Sequence, residues 1–258
     1  MKSSTIIGEY IEFLEQKKKS HVHSGFDAQV DSEHLFPFQN FVVNRALKAG
    51  KYAVFSGTGT GKTRMQVTWS SEVCKHINKP VLILAPLAVS AQTVQEAYDI
   101  GIVVVKYNGN VNNGAVVYIT NYDQIDNIDF SEFGGIALDE GSILKNEEGV
   151  MRNKLIDLCA DTPYKAVFTA TPSPNDPIEI GNYAEFLNVM SLNEMKAMYF
   201  VHDGGETQKW KLKGHCRKIF WEFVSTWAIM FQHPKDIQFN QDGFDLPPLN
   251  LIEKQVIT

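Results

Sequence analysis

The chain has 258 residues, 44% hydrophobic and 11% aromatic, with a formal net charge of −6. Such a length and apolar content suffice for a sizeable core in one large domain or two small ones. The acidic balance excludes a surface that coats nucleic acid indiscriminately and leaves room only for a local basic cleft. Three cysteines, Cys74, Cys159 and Cys216, lie far apart, and one of them must be unpaired. That usage suits a reducing, cytoplasmic interior better than a disulfide scaffold. No run approaches the ~20 apolar residues of a membrane span, and the start lacks the apolar core of a signal peptide, so no membrane partner is expected.

In chain order, residues 4–19 predict an amphipathic helix, with Ile6, Ile7, Tyr10, Phe13 and Leu14 on one face and Lys17-Lys18-Lys19 at its C-terminal end. A polar link runs from Ser20 to Glu33. Short β-branched apolar runs then alternate with longer helical patterns. The runs are Tyr52–Phe55, Val81–Leu84, Ile102–Val105, Val116–Ile119, Ile136–Leu138 and Ala166–Phe168. None shows the polar alternation of a half-exposed strand, so a parallel sheet wrapped by helices on both faces, an α/β class, is expected. After about residue 190 the pattern turns to helices rich in Trp, Phe, Lys and His. The division expected is an N-terminal helix and linker over 1–34, a nucleotide-binding lobe over 35–190, a helical insertion over 191–240 and a connector over 241–258, where Pro247-Pro248 forbids a helix.

Ser56-Gly57-Thr58-Gly59-Thr60-Gly61-Lys62-Thr63 reads as a P-loop between a strand pattern and a helix pattern. Glycines let successive backbone N–H groups converge on phosphate oxygens at a helix N-terminus, where the helix dipole also favours anions. Lys62 is expected on the β and γ phosphates and Thr63 on Mg²⁺. Ser56 stands where the pattern usually has its first glycine.

A P-loop alone says only nucleotide; the acids that complete it say more. Ile136-Ala137-Leu138-Asp139-Glu140 is an apolar strand ending in two carboxylates, at the strand edge where open α/β sheets bind ligands. Asp139 can orient the water shell of Mg²⁺, and Glu140 can polarise a water for in-line attack at the γ-phosphate, which favours hydrolysis over transfer to a second substrate.

At these residues the chain resembles Swi/Snf-type members of helicase superfamily 2. Asp139-Glu140-Gly141-Ser142-Ile143-Leu144-Lys145-Asn146 is similar to their motif II, and Leu35-Phe36-Pro37-Phe38-Gln39 to their Leu-x-Pro-x-Gln element. Leu84-Ala85-Pro86-Leu87 resembles motif Ia, Ile119-Thr120-Asn121-Tyr122 motif Ib, and Thr169-Ala170-Thr171-Pro172 motif III. The stretch Ser173-Pro174-Asn175-Asp176 with Glu179–Leu187 is especially similar to phage-encoded members. The resemblance implies a RecA-like lobe of an ATP-driven DNA motor that reads adenine through Gln39. Its cofactors would be ATP and Mg²⁺, and its location the host cytoplasm if phage-encoded. A second RecA-like lobe, in cis or in trans, would supply an arginine finger worth about 10³–10⁵ in rate. On this reading the chain is the amino-terminal lobe, weak or inactive alone. Ser142 replaces a histidine that couples motif II to motif III in many relatives; its hydroxyl can still bond Thr169 or Thr171, over a shorter reach, which leaves that coupling open.

The resemblance also places a DNA backbone against Pro86, Leu87, Thr120, Asn121 and Tyr122, without sequence specificity. A structural role for Pro86 and Tyr122 competes with that reading. Lys209-Trp210-Lys211-Leu212-Lys213-Gly214-His215-Cys216-Arg217-Lys218 offers a basic patch with an aromatic, though a solvated face is the commoner use of such a run. His21-Val22-His23 and His215-Cys216 lack a second pair at ligand spacing, so no zinc is expected. Two rival functions remain: an ATP-sensing module that docks a partner without turnover, and a P-loop small-molecule kinase, for which no acceptor site is evident.

Overall fold

The computed structural model describes residues 22–111, 114, 116–145, 149–173, 176–202 and 210–244. The helix expected over 4–19 and the connector beyond Phe244 lie outside them, as do Asn146, Pro174, Asn175 and Lys209. Helix α1 (Pro37–Ala49) leads into β1 (Lys51–Ser56), α2 (Lys62–Ile77), β2 (Val81–Ala85), α3 (Ser90–Asp99), β3 (Val104–Lys106) and β4 (Val117–Asn121). Then come β5 (Gly135–Asp139), α4 (Val150–Leu158), β6 (Tyr164–Thr169), α5 (Ile180–Phe186) and α6 (Leu192–Tyr199). A hairpin of β7 (Phe200–His202) and β8 (Trp210–Leu212), α7 (Arg217–Trp227) and β9 (Ala228–Phe231) complete the order.

Seven strands form one sheet in the order β3-β4-β2-β5-β6-β1-β9, and every pairing is parallel. The α/β class read from the apolar runs is therefore the architecture found. The two-residue period of a strand explains why the runs lack polar alternation: Val81, Ile83 and Ala85 face a core built with α1 and α2, while Leu82 and Leu84 face one built with α5 to α7. Over the central strands both faces are covered, so both must be apolar; at the edge, β3 departs from the expectation, with Val105 40% exposed and Val103 before it 73%.

The expectation of a helical stretch over 191–240 needs correction. Helices α6 and α7 are there, but β7 and β8 pair antiparallel, and β9 joins the main sheet beside β1 with Ser56 opposite Phe231. Four residues following a helix without Gly or Pro carry no periodicity that separates a strand from a last helical turn.

β6 contains a lysine where a buried strand calls for an apolar residue. Lys165 is 0% exposed; its Nζ donates to the Phe186 carbonyl at 3.0 Å and to Asn188 Oδ1 at 3.3 Å. Burial brings its pKa down to about 8, with Lys51 in register beside it. Between pH 8 and 10.5 the unfolded chain holds a proton that the folded chain has released, so the stability attributable to Lys165 rises with pH across that window. Urea titrations of wild type and Lys165→Met should show their difference in unfolding free energy moving in favour of wild type by about 2–3 kcal/mol from pH 8 to 10.5. A difference that stays flat would contradict the assignment.

Candidate active site

The parallel order delivers the C-terminal ends of β1, β6 and β5 side by side. At the end of β1 the loop Ser56–Gly61 turns the chain into α2, whose first residue is Lys62. Gly59 and Gly61 have φ of +81° and +77°, the left-handed region that glycine enters without strain. The loop is braced from inside: Thr60 Oγ1 donates to the Gly57 carbonyl at 2.8 Å and lies 2.9 Å from Ser56 Oγ. A hydroxyl at Ser56 thus contributes a bond that glycine could not. From the far side, the Gly57 amide donates to the Phe231 carbonyl of β9 at 3.0 Å, so the unforeseen strand anchors the loop.

Lys62 Nζ donates to the carbonyls of Ser56 at 3.0 Å and Gly57 at 2.9 Å. Burial lowers its pKa, while Glu140 and Asp139 oppose that shift, which places the ammonium within the field of both acids. The first-turn N–H groups of α2 have no helical acceptor, as at any helix start. Together with the ammonium and the Thr63 hydroxyl they form a donor set suited to phosphate.

Gln39 is 2% exposed, in the first turn of α1. Its Nε2 donates to the Thr60 carbonyl at 2.9 Å, and its Oε1 accepts from the Phe36 amide at 2.9 Å. One donor and one acceptor site of the amide are thus spent within the protein, tying α1 to the P-loop. A Cβ at Gly61 would stand 2.3 Å from Gln39 Nε2.

Asp139 ends β5, and its carboxyl pKa is pushed up to about 6, by burial first and by the neighbouring Glu140 second. Glu140 follows with φ 51° and ψ 62°, a left-handed backbone that costs a non-glycine residue about 1–3 kcal/mol. Gly141 permits the turn, since a Cβ there would lie 2.2 Å from Val167 Cγ1. The turn directs the Glu140 side chain toward the end of β6, where Oε1 accepts from Thr169 Oγ1 at 2.9 Å and Thr171 Oγ1 at 3.5 Å. Thr171 in turn donates its amide to Thr169 Oγ1 at 3.1 Å.

The structure bears on two of the expectations. Ser142 does not bridge to Thr169 or Thr171: its hydroxyl donates to the Glu140 carbonyl at 3.4 Å, because the short side chain on this turn reaches only its own loop. The contact with the end of β6 is made by Glu140 itself. Tyr122, for which a DNA contact and a structural role competed, is 7% exposed and donates its hydroxyl to the Asp139 carbonyl at 2.7 Å, which makes it part of the site's frame. Thr120 is buried as well, and Asn121 Oδ1 caps the following turn at the Asp123 amide, 3.0 Å away. Leu87 is 69% exposed beside Pro86 at the same sheet edge.

Three further residues at the site carry no role readable from sequence. Lys145 Nζ donates to Thr171 Oγ1 at 3.0 Å, Asn182 Nδ2 donates to the Lys145 carbonyl at 2.8 Å, and the buried Arg152 donates to Asn182 Oδ1 at 3.0 Å. Lys145 lies within the motif resembling helicases, but nothing in a linear pattern says whom its side chain meets. No cluster of metal-binding side chains occurs among the described residues, and no described helix is long and apolar enough to cross a membrane.

Residues 60–222, well over half of the chain, match the SNF2-related domain. This chain belongs to that family. The SNF2-related domain here is similar to protein p41 of Acyrthosiphon pisum secondary endosymbiont phage 1, at 28% identity over 177 residues, or 59% of this chain and 38% of the phage protein. Its fold is similar to that of the Sulfolobus solfataricus SWI2/SNF2 ATPase core, solved in complex with dsDNA. The TM-score is 0.62 at 16% identity, over 83% of this chain and 47% of that one. The UvsW helicase of bacteriophage T4 aligns with a TM-score of 0.49 at 16% identity, over 70% of this chain and 66% of its own. The chain thus spans less than half the length of the phage protein and of the Sulfolobus chain.

The contact between Gly61 and Gln39 is directly testable. Gly61→Ala should lose about 1–3 kcal/mol of stability in thermal or urea unfolding, since it combines a left-handed φ with a clash. Gln39→Ala has its own cost, since it loses the bonds to Thr60 and Phe36, but in that background Gly61→Ala should cost less than in wild type, because the backbone strain remains and the clash is gone. Gly61→Ala as stable as wild type would contradict the contact.

Proposed function

We propose that this SNF2-related domain is the ATP-binding lobe of a DNA-dependent ATPase motor, a helicase or duplex translocase that hydrolyses ATP to ADP and phosphate. The observation carrying this reading is Glu140, held at a strained left-handed backbone with its carboxylate fixed at 2.9 Å from Thr169, beside a lysine-bearing P-loop. Strain of that kind persists where the surroundings enforce it and a side chain must be aimed.

Lys62 and the first-turn amides of α2 would bind the β and γ phosphates, and Gln39 would use its unspent donor and acceptor on the adenine edge. Thr63 and Asp139 would hold Mg²⁺: both offer hard oxygen donors, and the half-buried Asp139 carboxylate would gain from a cation that offsets its desolvation. Bound there, Mg²⁺ neutralises phosphate charge. Glu140 would orient and accept a proton from the attacking water, with Thr169 and Thr171 holding its carboxylate in line. Loss of Lys62 from the Ser56 and Gly57 carbonyls on nucleotide binding is repaid by charge-assisted bonds to phosphate.

DNA would lie along the sheet edge bearing Pro86, Leu87 and Asn121, which adjoins the acid pair because β2 and β4 follow β5 in the sheet. The solved Sulfolobus relative was captured on dsDNA, which supports a duplex partner. A second RecA-like lobe, in cis or in trans, would close over the nucleotide, and the working compartment would be the host cytoplasm.

The full-length gene product should hydrolyse ATP, and duplex DNA should stimulate it. Glu140→Gln should lower kcat by about 10²–10⁴ with little change in binding of a fluorescent ATP analogue, whereas Lys62→Ala should weaken that binding. Tight nucleotide binding without turnover, with or without DNA, would remove the motor reading in favour of an ATP-sensing module.

A further inference from the structure

Lys145 is neither buried nor fully exposed, and its ammonium is engaged on one oxygen, Thr171 Oγ1, at 3.0 Å. That oxygen belongs to the hydroxyl standing 3.5 Å from Glu140 Oε1. A hydroxyl has one proton to give and lone pairs to receive with. With an ammonium donating into its oxygen, the exposed Thr171 hydroxyl aims its own proton elsewhere, and the protein acceptor the structure places there is the Glu140 carboxylate, at the long end of a hydrogen bond. Lys145 therefore sets the direction of the Thr171 hydroxyl and polarises it, strengthening the bond that holds the acid.

The backbone of Lys145 is itself fixed by groups remote from the nucleotide. Its carbonyl accepts from Asn182 Nδ2 at 2.8 Å; Asn182 Oδ1 accepts from Arg152 Nε at 3.0 Å; and Arg152, 6% exposed, pairs with Glu185. Asn182 and Glu185 sit on α5 and Arg152 on α4, so two helices converge on one peptide carbonyl. A buried guanidinium held through each of its three nitrogens, to Asn182, Asn153 and Glu185, makes a rigid anchor.

We propose that Lys145 is a positioning residue for Glu140, acting through Thr171 and anchored by Asn182 and Arg152. The proposal rests on the ATPase reading above and adds to it the group that orients the water-activating acid. Lys145 touches neither acid; its influence passes through the threonine.

The test is steady-state ATP hydrolysis by the full-length gene product with duplex DNA, alongside thermal unfolding. Lys145→Met should lower kcat about ten- to a hundredfold, the range expected for a lost hydrogen bond to a charged group, with KM for ATP and the unfolding midpoint unchanged. Lys145→Arg, which can still donate to Thr171, should restore most of the rate. Thr171→Ala added to Lys145→Met should cost no more than either change alone, because both break the same path. Wild-type kcat in Lys145→Met, a loss confined to KM, an Arg variant as slow as the Met variant, or a collapse of the fold would each overturn the positioning role. If wild type itself does not turn over, the ATPase reading fails first and this role falls with it. Wild-type turnover with an unaffected Met variant removes the positioning role alone.

Discussion

In the proposed ATPase, a lysine on phosphate and a carboxylate on water would have to face each other at a set separation, and in this chain one intervening strand provides it. β6 lies between β1 and β5, so the P-loop and the acid pair leave the sheet two strand spacings apart, roughly 9–10 Å. Because every strand runs in the same direction, all three ends emerge on one edge, and the residues closing β6 fall between lysine and acids. Thr169 and Thr171 are therefore placed by topology, ahead of any side-chain choice, in the position from which both halves of the site can be held.

Around that spacing the local chemistry is arranged to resist drift. The P-loop is tied to β9 through Gly57, to α1 through Gln39 and to itself through Thr60. The acid loop is tied to β6 through Glu140, to the turn after β4 through Tyr122 and to α4 and α5 through Lys145. Both apolar cores alternate strictly along the strands, so a slip of one residue in β5 or β6 would turn Asp139 or Thr169 to the opposite face and bury the wrong side chains. The register that stabilises the sheet is the same register that aims the site.

Much of this is legible in the amino-acid sequence. The glycine pattern around Lys62, the apolar strand ending in Asp139-Glu140 and the six apolar runs are one-dimensional signals, since a turn, a strand and a strand end each depend on neighbours in sequence. What the sequence hides depends on partners far along the chain. β9 carries no periodicity of its own and is a strand only because β1 lies open beside it. Gln39 can be assigned a ligand from its motif, but not the Thr60 carbonyl that takes half of its donors. Ser142 points to motif III only by analogy with a longer side chain, whereas in the folded chain Glu140 and Lys145 make that contact. Tyr122 suits solvent and core equally as a letter in a string, and the Asp139 carbonyl decides for the interior.

The ammonium of Lys62 lies against the carbonyls of its own loop. On the proposed function the loop would thus carry an internal competitor for the place of phosphate: when product left, the charge would pass to two waiting carbonyls and not stand bare in a low-dielectric cleft. Arrival and departure would become an exchange of partners. Such an exchange would lower equilibrium affinity and, for the same reason, shorten the residence of spent nucleotide, so a repeating machine of the kind proposed would trade tightness of grip for cadence.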